Sequence, residues 1–313
     1  MKKLCLLLFL LIISKANYAQ TDTLYIPFIA YWETGDIYEF EATKIKRQWD
    51  GEILTKNDSI TYNCILKVLE ETDSSYLMSW KFDSPFLGEL GLPMKLMGSI
   101  KGFFETEVIY KTNELGEFLE VINLEEIRSK TNNLIDSLIG DDIEKSDGAL
   151  SANTVQQIKA MLTSDQMIQG LVLKEIQFIH MPFGYEYALN ETIFYEEQLP
   201  NLFGGAPLRG DVELILLEAD TIERKAALVR KMRINEEDTK SFLTGLFGRL
   251  QIDDIDLTEF IEKTTYQVKD DHSFEYIYNP GIPTLIKTNR ETRLEAEDQK
   301  MRRQDILILR LKQ

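Results

Sequence analysis

Apolar and polar residues alternate along the first third of the chain, from Leu24 to Ile122. The clearest example is a segment in which every second residue is apolar, namely Tyr76, Met78, Trp80 and Phe82. A period of two predicts β-strands that bury one face and expose the other. Turn residues interrupt the alternation at four dipeptides, which are Asp50-Gly51, Asn57-Asp58, Asp73-Ser74 and Leu115-Gly116. Links this short favour an antiparallel meander over a parallel sheet crossed by helices.

The spacing becomes helical near Asn123, where apolar residues recur every three or four positions. On this basis we predict helices over residues 123–177. A further helical region is predicted over residues 235–262. Asn235 is its expected N-cap, because an asparagine side chain accepts hydrogen bonds from the first amides of a helix. Three acidic residues follow it at the positive end of the helix dipole.

Strand-like alternation returns over residues 191–234 and again over residues 264–311. Within the second of these regions, the polar pair Asp270-Asp271 predicts a hairpin turn, with His272 directly after it. The last run, from Ile306 to Leu311, is apolar on both faces. We therefore expect it to lie inside the sheet with a cover on each side.

Together these segments predict one α+β domain over residues 20–313, in which a large, curved antiparallel sheet forms an open half-barrel. The helices of residues 123–177 and 235–262 would pack on its concave face. This layout resembles the half-barrel with a helical plug of periplasmic lipoprotein and lipid carriers. It is a resemblance of layout, without a shared motif, and it implies only a slight preference for a binding function.

Residues 1–19 have the three-part pattern of an export signal. Lys2 and Lys3 precede an apolar run from Leu4 to Ile13, and a small residue, Ala19, stands at the expected cleavage site. The run is too short to span a bilayer, which needs about twenty apolar residues, so a retained membrane anchor is the less favoured alternative. We therefore expect cleavage after Ala19 and a periplasmic or secreted protein without an integral membrane segment.

The chain carries a net charge of −17. Such a charge repels nucleic-acid phosphates, and no basic stripe with interleaved aromatic residues offsets it, so we expect no nucleic-acid partner. After removal of the signal, Cys64 is the remaining cysteine. It alternates with apolar residues, which places it on the buried face as a small apolar filler. The mature chain would therefore be stabilised by its core and not by disulfides.

Short motifs with a catalytic or cofactor-binding mechanism are missing from the sequence, and we predict no cofactor and no metal site. His180 and His272 lack partners at ligand spacing, and His180 is interpreted as a packed loop residue. The acidic cluster 253–256 lacks the glycine of a calcium loop and is better explained as the start of a helix. No catalytic residue is nominated, and a non-enzymatic role is favoured.

Three predicted loops carry an unusual share of apolar residues: 85–98, 181–185 and 202–205. Such loops either close an open end of the core or form a lid over a cavity, where methionine adapts to varied shapes. If the three loops meet, they form a hydrophobic mouth. Its candidate ligand-binding residues are Phe86, Leu90, Leu92, Met94, Met97, Phe183 and Phe203.

The leading hypothesis is an exported binding protein that holds an apolar or amphipathic molecule, or an apolar segment of a partner, between the sheet and the helices. One alternative is an interaction subunit of a cell-envelope assembly, which would use the outer sheet face or an edge strand. Another is a hydrolase with two carboxylates from distant strands, which would leave no local signature. The sequence specifies neither the ligand nor the oligomeric state, nor whether the space between sheet and helices is packed or hollow.

Overall fold

The computed structural model describes residues 23–83, 107–143, 173–199, 201, 206–250, 263–296 and 299–312. The strands within them are β1 Tyr25–Phe28, β2 Ile37–Asp50, β3 Ile53–Thr72, β4 Ser75–Asp83, β5 Val108–Asn113, β6 Phe118–Val121, β7 Tyr185–Ala188, β8 Thr192–Leu199, β9 Leu208–Asp220, β10 Lys225–Ile234, β11 Thr264–Ile277, β12 Ile282–Ala296 and β13 Gln299–Leu311. The helices within them are α1 Leu124–Ile143, α2 Lys174–His180 and α3 Glu236–Leu250.

Eleven of these strands form one antiparallel sheet in the order β6-β5-β4-β3-β2-β13-β12-β11-β10-β9-β8. The two end strands do not pair with each other, so the curved sheet stays open, and the predicted α+β fold with a large open antiparallel sheet is confirmed. The first and the last strand of this sheet along the chain meet at its centre, since β2 pairs with β13 and Ile45 lies opposite Ile306. The last apolar run is therefore an interior strand, as its sequence predicts.

The strands alternate between a buried inner face and a more exposed outer face. On β11, for example, the five inner positions Val268, Asp270, His272, Phe274 and Tyr276 are all buried. The inner face of β3 carries Cys64, which is buried in the core as expected. Because successive side chains of a strand point to opposite faces, the period of two in the sequence translates directly into this arrangement.

The inner face is covered by α2 and by a two-stranded ribbon of β1 and β7. Phe28 of the ribbon packs edge-to-face against Tyr187 and Tyr276, with ring centroids 5.4 and 5.5 Å apart. The hydroxyl of Tyr276 donates a hydrogen bond to the carbonyl oxygen of Ile179, at 2.6 Å, which fastens the end of α2 to the sheet. The sequence pattern predicts no strand where β7 lies, because a strand of four residues is too short to show a period.

Three of the four turns predicted in the first third are confirmed, and one is wrong. Asp50-Gly51, Asp73-Ser74 and Leu115-Gly116 do connect strands, whereas Asn57-Asp58 lies within β3. Asn57 and Asp58 face Arg47 and Lys46 on β2. Arg47 Nε donates a hydrogen bond of 3.2 Å to Asn57 Oδ1, so a polar pair that suggests a turn is satisfied by the neighbouring strand.

The predicted turn at Asp270-Asp271 is also wrong, because β11 runs unbroken from Thr264 to Ile277. His272 is therefore a strand residue, only 6% exposed, instead of a turn residue. The physical reason is again a partner across the sheet. Asp270 accepts two hydrogen bonds from Arg290 of β12, at 2.7 and 2.5 Å.

Helices α1 and α3 begin where the sequence predicts. Asn235 caps α3, since its Oδ1 accepts hydrogen bonds from the amides of Glu237 (3.0 Å) and Asp238 (3.2 Å). The helices predicted within 144–172 and 251–262 lie outside the described residues. Of the described helices, none combines the length and the apolar character that crossing a membrane requires.

Candidate functional site

A pocket of about 460 Å³ opens between the inner face of β8–β11 and the segment that follows α2. We call it the inner pocket. Its walls are mostly aliphatic and aromatic, and the lining residues are Met181, Pro182, Tyr185, Tyr187, Ile193, Tyr195, Glu197, Leu214, Leu228 and Phe274. Its size falls within the usual range of small-molecule sites, and one charged side chain, that of Glu197, lines it.

The roof of the inner pocket is the segment from Met181 to Tyr187, and backbone contacts hold it in place. The amide of Gly184 donates to the carbonyl oxygen of Phe28 at 3.0 Å, and Gly184 has a φ of +84°, which a side chain rarely tolerates. The hydroxyl of Tyr187 donates to the carbonyl oxygen of Pro182 at 3.0 Å. Burial raises the pKa of Tyr187 above its ordinary value, so its hydroxyl stays protonated and keeps this bond.

The floor of the pocket follows from strand register. Ile193 of β8 lies opposite Leu214 of β9, which lies opposite Arg230 of β10. The neighbouring inner position on β10 is Leu228, which lies opposite Phe274 of β11. Arg230 therefore lies at the edge of the apolar floor.

Three polar side chains form the polar end of the pocket. Arg230 Nη2 donates to Glu197 Oε2, and Arg230 Nε donates to the hydroxyl of Tyr195 at 3.3 Å. The side chain of Arg230 is 5% exposed, whereas that of Glu197 is 40% exposed. The guanidinium of Arg230 is thus buried behind the pocket wall, whereas the carboxylate of Glu197 is accessible from the pocket.

A buried polar band continues across the inner face beyond Arg230. His272 lies opposite Arg230, and Asp270 pairs with Arg290. Burial lowers the pKa of His272 to about 4, although the charge of Asp270 opposes this shift, so the ring is neutral at pH 7. Burial alone would raise the pKa of Asp270, but the hydrogen bonds and charge of Arg290 outweigh it and hold that pKa below its usual value.

His180 lies in the opposite half of the inner face and is fully engaged. Its Nδ1 lies 2.8 Å from the carbonyl oxygen of Gly116, and its Nε2 lies 2.8 Å from the hydroxyl of Tyr110. A carbonyl can only accept, so Nδ1 carries the proton and Nε2 accepts from Tyr110. Burial lowers the pKa of His180 to about 4. The residue is packed, as predicted, but it ends a helix instead of standing in a loop.

A larger groove, of about 600 Å³, lies mainly on the outer face of the same strands. Its lining is dominated by charged residues, which are Asp211, Glu213, Lys231, Arg233, Lys269, Asp271 and Glu291. Charged side chains that are solvated on a sheet face offer little to an apolar molecule, because burying them would cost their hydration. We therefore consider the smaller inner pocket the better candidate site.

One of the seven candidate ligand-binding residues from the sequence, Phe183, lies within the described residues. It is 1% exposed and packs against Trp32 and Tyr276, with centroid distances of 5.3 and 6.1 Å. It is therefore a core residue next to Pro182 of the pocket roof, and a role in binding stays a prediction. The other six lie outside the described residues and stay predictions, namely Phe86, Leu90, Leu92, Met94, Met97 and Phe203.

Sequence reasoning missed the floor and the polar end of the pocket. Their residues lie on β8 to β11, and nothing local marks them as a site. One signal was present, since Arg230 occupies an inner position of β10 between the apolar residues Leu228 and Met232. A charged residue at a buried position of a strand requires a partner, and that requirement points to the pair with Glu197.

The carboxylate-pair hypothesis gains no support from the buried acid of the polar band. A glycosidase-type general acid needs a raised pKa. The pKa of Asp270 is lowered instead, and that of Glu291 on the same strand as Arg290 is lowered too, because hydrogen bonds from Gln304 and Arg293 outweigh its burial. Neither group is suited to donate a proton at neutral pH.

No protein-family model matches the chain, and no curated protein matches it. Among solved structures, one of lipid–protein interactions in lipovitellin has 9% identity and a TM-score of 0.47 over 90% of this chain and 25% of the lipovitellin chain, so this chain spans about a quarter of that length. An outer membrane channel from Pseudomonas putida F1 has 8% identity and a TM-score of 0.16, over 91% of this chain and 98% of the channel. TM-scores this low do not establish a shared fold.

Proposed function

We propose that the protein is an exported, non-enzymatic binding protein that holds an apolar or amphipathic molecule in the inner pocket. The observation that carries this proposal is the composition of the pocket walls. Aliphatic and aromatic residues form most of them, and Tyr195 and Glu197 form a polar end next to Arg230. Small-molecule sites combine an apolar cavity with a few placed polar groups in this way.

The exposure of the pocket walls to solvent also favours a ligand. The pocket is open, so its aliphatic and aromatic walls contact water. Removal of apolar surface from water is favourable. An apolar ligand would cover those walls.

The proposal can be tested by filling the pocket. Leu214 lines it, whereas Leu217 lies on the same strand, is 44% exposed and does not line it. We expect Leu214→Trp to weaken binding of the neutral apolar dye N-phenyl-1-naphthylamine at least tenfold and Leu217→Trp to leave it unchanged. Fluorescence titration measures both. Equal dye binding by the two variants, or no dye binding by the unmodified protein, would count against the proposal.

Native mass spectrometry of gently purified protein gives an independent test. We expect a co-purifying apolar or amphipathic molecule in the unmodified protein and less of it in Leu214→Trp. The same bound mass in both proteins would place the molecule elsewhere.

A second candidate function is an interaction subunit of a cell-envelope assembly, and strand β8 favours it. Among the described strands β8 pairs with β9 alone, so one side of its backbone has no strand neighbour. Ile193, Phe194 and Tyr195 are exposed on it, at 42%, 72% and 40%. Open edges of this kind accept an added strand from a partner. Cross-linking in intact cells should then map a partner to β8, and cross-links confined to other surfaces would refute this candidate.

A further inference from the structure

The polar end of the inner pocket offers a defined pattern of hydrogen-bonding groups. An arginine has only donors, so in its contact with Tyr195 the phenolic oxygen must accept. The proton of the Tyr195 hydroxyl is then available to a second acceptor. Because Tyr195 lines the pocket, a bound molecule can supply that acceptor.

Glu197 offers the complementary group beside it. Arg230 engages the Oε2 atom of its carboxylate, which leaves Oε1 to accept a hydrogen bond. Glu197 and Tyr195 are two positions apart on β8 and therefore share a face. The polar end of the pocket thus presents one donor and one acceptor side by side.

The charges at this end select against ions. The cation of Arg230 is already paired with Glu197, so an anionic head group would have to displace that carboxylate or lie next to it. The net charge of −17 adds a long-range repulsion for anions. A cationic head group would suit Glu197, but it would lie close to Arg230 and leave the Tyr195 donor unmatched.

We infer that the inner pocket takes a neutral amphiphile with a hydroxyl head group, which accepts a hydrogen bond from Tyr195 and donates one to Glu197. A hydroxyl is both a donor and an acceptor, so it matches the pair without bringing a charge. The inference rests on the proposed function, since it names the class of ligand for the same pocket.

The first test compares three ligands with the same chain at pH 7, which are octanol, octanoate and octylamine, each displacing N-phenyl-1-naphthylamine from the full protein. We expect octanol to bind about tenfold more tightly than the two ions. Tighter binding of octanoate or octylamine, or displacement by none of the three, would overturn the inference and leave the apolar pocket standing. Absence of dye binding would overturn the proposed function together with this inference.

The second test removes the tyrosine donor. Tyr195→Phe should weaken octanol binding about five- to tenfold more than it weakens dye binding, because it removes one hydrogen bond that octanol makes and the dye does not. Tyr185→Phe is the matched control, because Tyr185 also lines the pocket but is 62% exposed and lies outside the Arg230 cluster. Equal losses in the two variants would contradict the role of Tyr195.

The third test changes the selectivity. Glu197→Gln keeps an acceptor at the polar end but removes the charge that pairs with Arg230, so octanoate should bind at least as tightly as octanol. Thermal melting establishes that the variant is folded at the temperature of the titration. A folded Glu197→Gln protein that still prefers octanol tenfold would show that charge does not set the selectivity and would overturn the inference.

Discussion

The two halves of the inner face are built from strands with the same alternating pattern, but one half is a packed core and the other borders a pocket. The half formed by β2 to β5 buries large side chains such as Phe40, Trp80 and Tyr110 beneath α2 and the ribbon. The half formed by β8 to β10 also carries large inner residues, such as Ile193, Leu214 and Leu228, but these border the inner pocket. A period of two thus specifies which face is apolar. Whether that face becomes a core or a pocket depends on what lies over it.

The largest test of this contrast truncates one residue in each half. Phe40→Ala should cost about 3–5 kcal/mol of unfolding free energy, because Phe40 is fully buried on β2 and packs against Trp80, with ring centroids 5.9 Å apart. Leu214→Ala should cost less than about 1.5 kcal/mol, since Leu214 is half-buried and already borders open space. Urea unfolding measures both. Similar losses would mean that the pocket half is as tightly packed as the other.

The second prediction concerns which charge is left behind when an ion pair is broken. Glu197→Gln should cost about 2–3 kcal/mol, because it leaves the cation of Arg230 at 5% exposure without a counter-charge. Asp270→Asn should cost about 1 kcal/mol, although Asp270 is the more buried acid. Its partner Arg290 has a side chain that is 46% exposed and can be hydrated. Urea unfolding of the two variants in parallel measures both losses. A larger loss for Asp270→Asn would mean that burial of the acid, and not burial of its arginine partner, sets the cost.

These particulars show what the sequence could and could not predict. The strand of Tyr76 to Phe82 and the cap at Asn235 follow from residues close together in the chain, and both are confirmed. The polar pair Asp270-Asp271 has the local pattern of a turn, because the partner of Asp270, Arg290, is twenty positions away. The polar end of the pocket joins residues more than thirty positions apart, so the local pattern around Arg230 shows that it needs a partner but not which residue supplies it.

The third prediction is a loss of stability in mild acid. Burial holds the pKa of both His180 and His272 at about 4, below the ordinary value of about 6.5. The unfolded chain therefore takes up protons that the folded chain does not. Stability is fully present above about pH 6.5 and is lost as the pH falls towards 4. Each histidine should remove about 2 kcal/mol between pH 7 and pH 5.

Substitution can separate the contributions of His180 and His272 to the acid loss. His272→Gln should abolish about half of the acid loss, as measured by urea unfolding at pH 7 and pH 5. At pH 7 it should cost less than His180→Gln. The reason is that His180 hydrogen-bonds through both ring nitrogens, whereas His272 Nδ1 has no hydrogen-bond partner among the described residues. An unchanged acid loss in His272→Gln would mean that folding does not lower the pKa of His272.

The smallest predicted effect compares the asparagines at the starts of α1 and α3. Asn235 caps α3 beside the pocket half, and Asn235→Ala should cost about 1 kcal/mol. Asn123 has a different role, because its Oδ1 accepts a hydrogen bond from the amide of Ile109 on β5 at 2.9 Å and so links α1 to the packed half.

Serine variants distinguish the two roles. Serine is as good a cap as asparagine, but its shorter side chain cannot reach a neighbouring strand. Asn235 Oδ1 also accepts a long hydrogen bond of 3.3 Å from Arg209 Nη2 of β9, which serine would lose, but its two cap bonds would remain. Asn235→Ser should therefore keep most of the stability, whereas Asn123→Ser should lose about as much as Asn123→Ala. Thermal melts of the four variants decide, and rescue by serine at position 123 would show that Asn123 is only a cap.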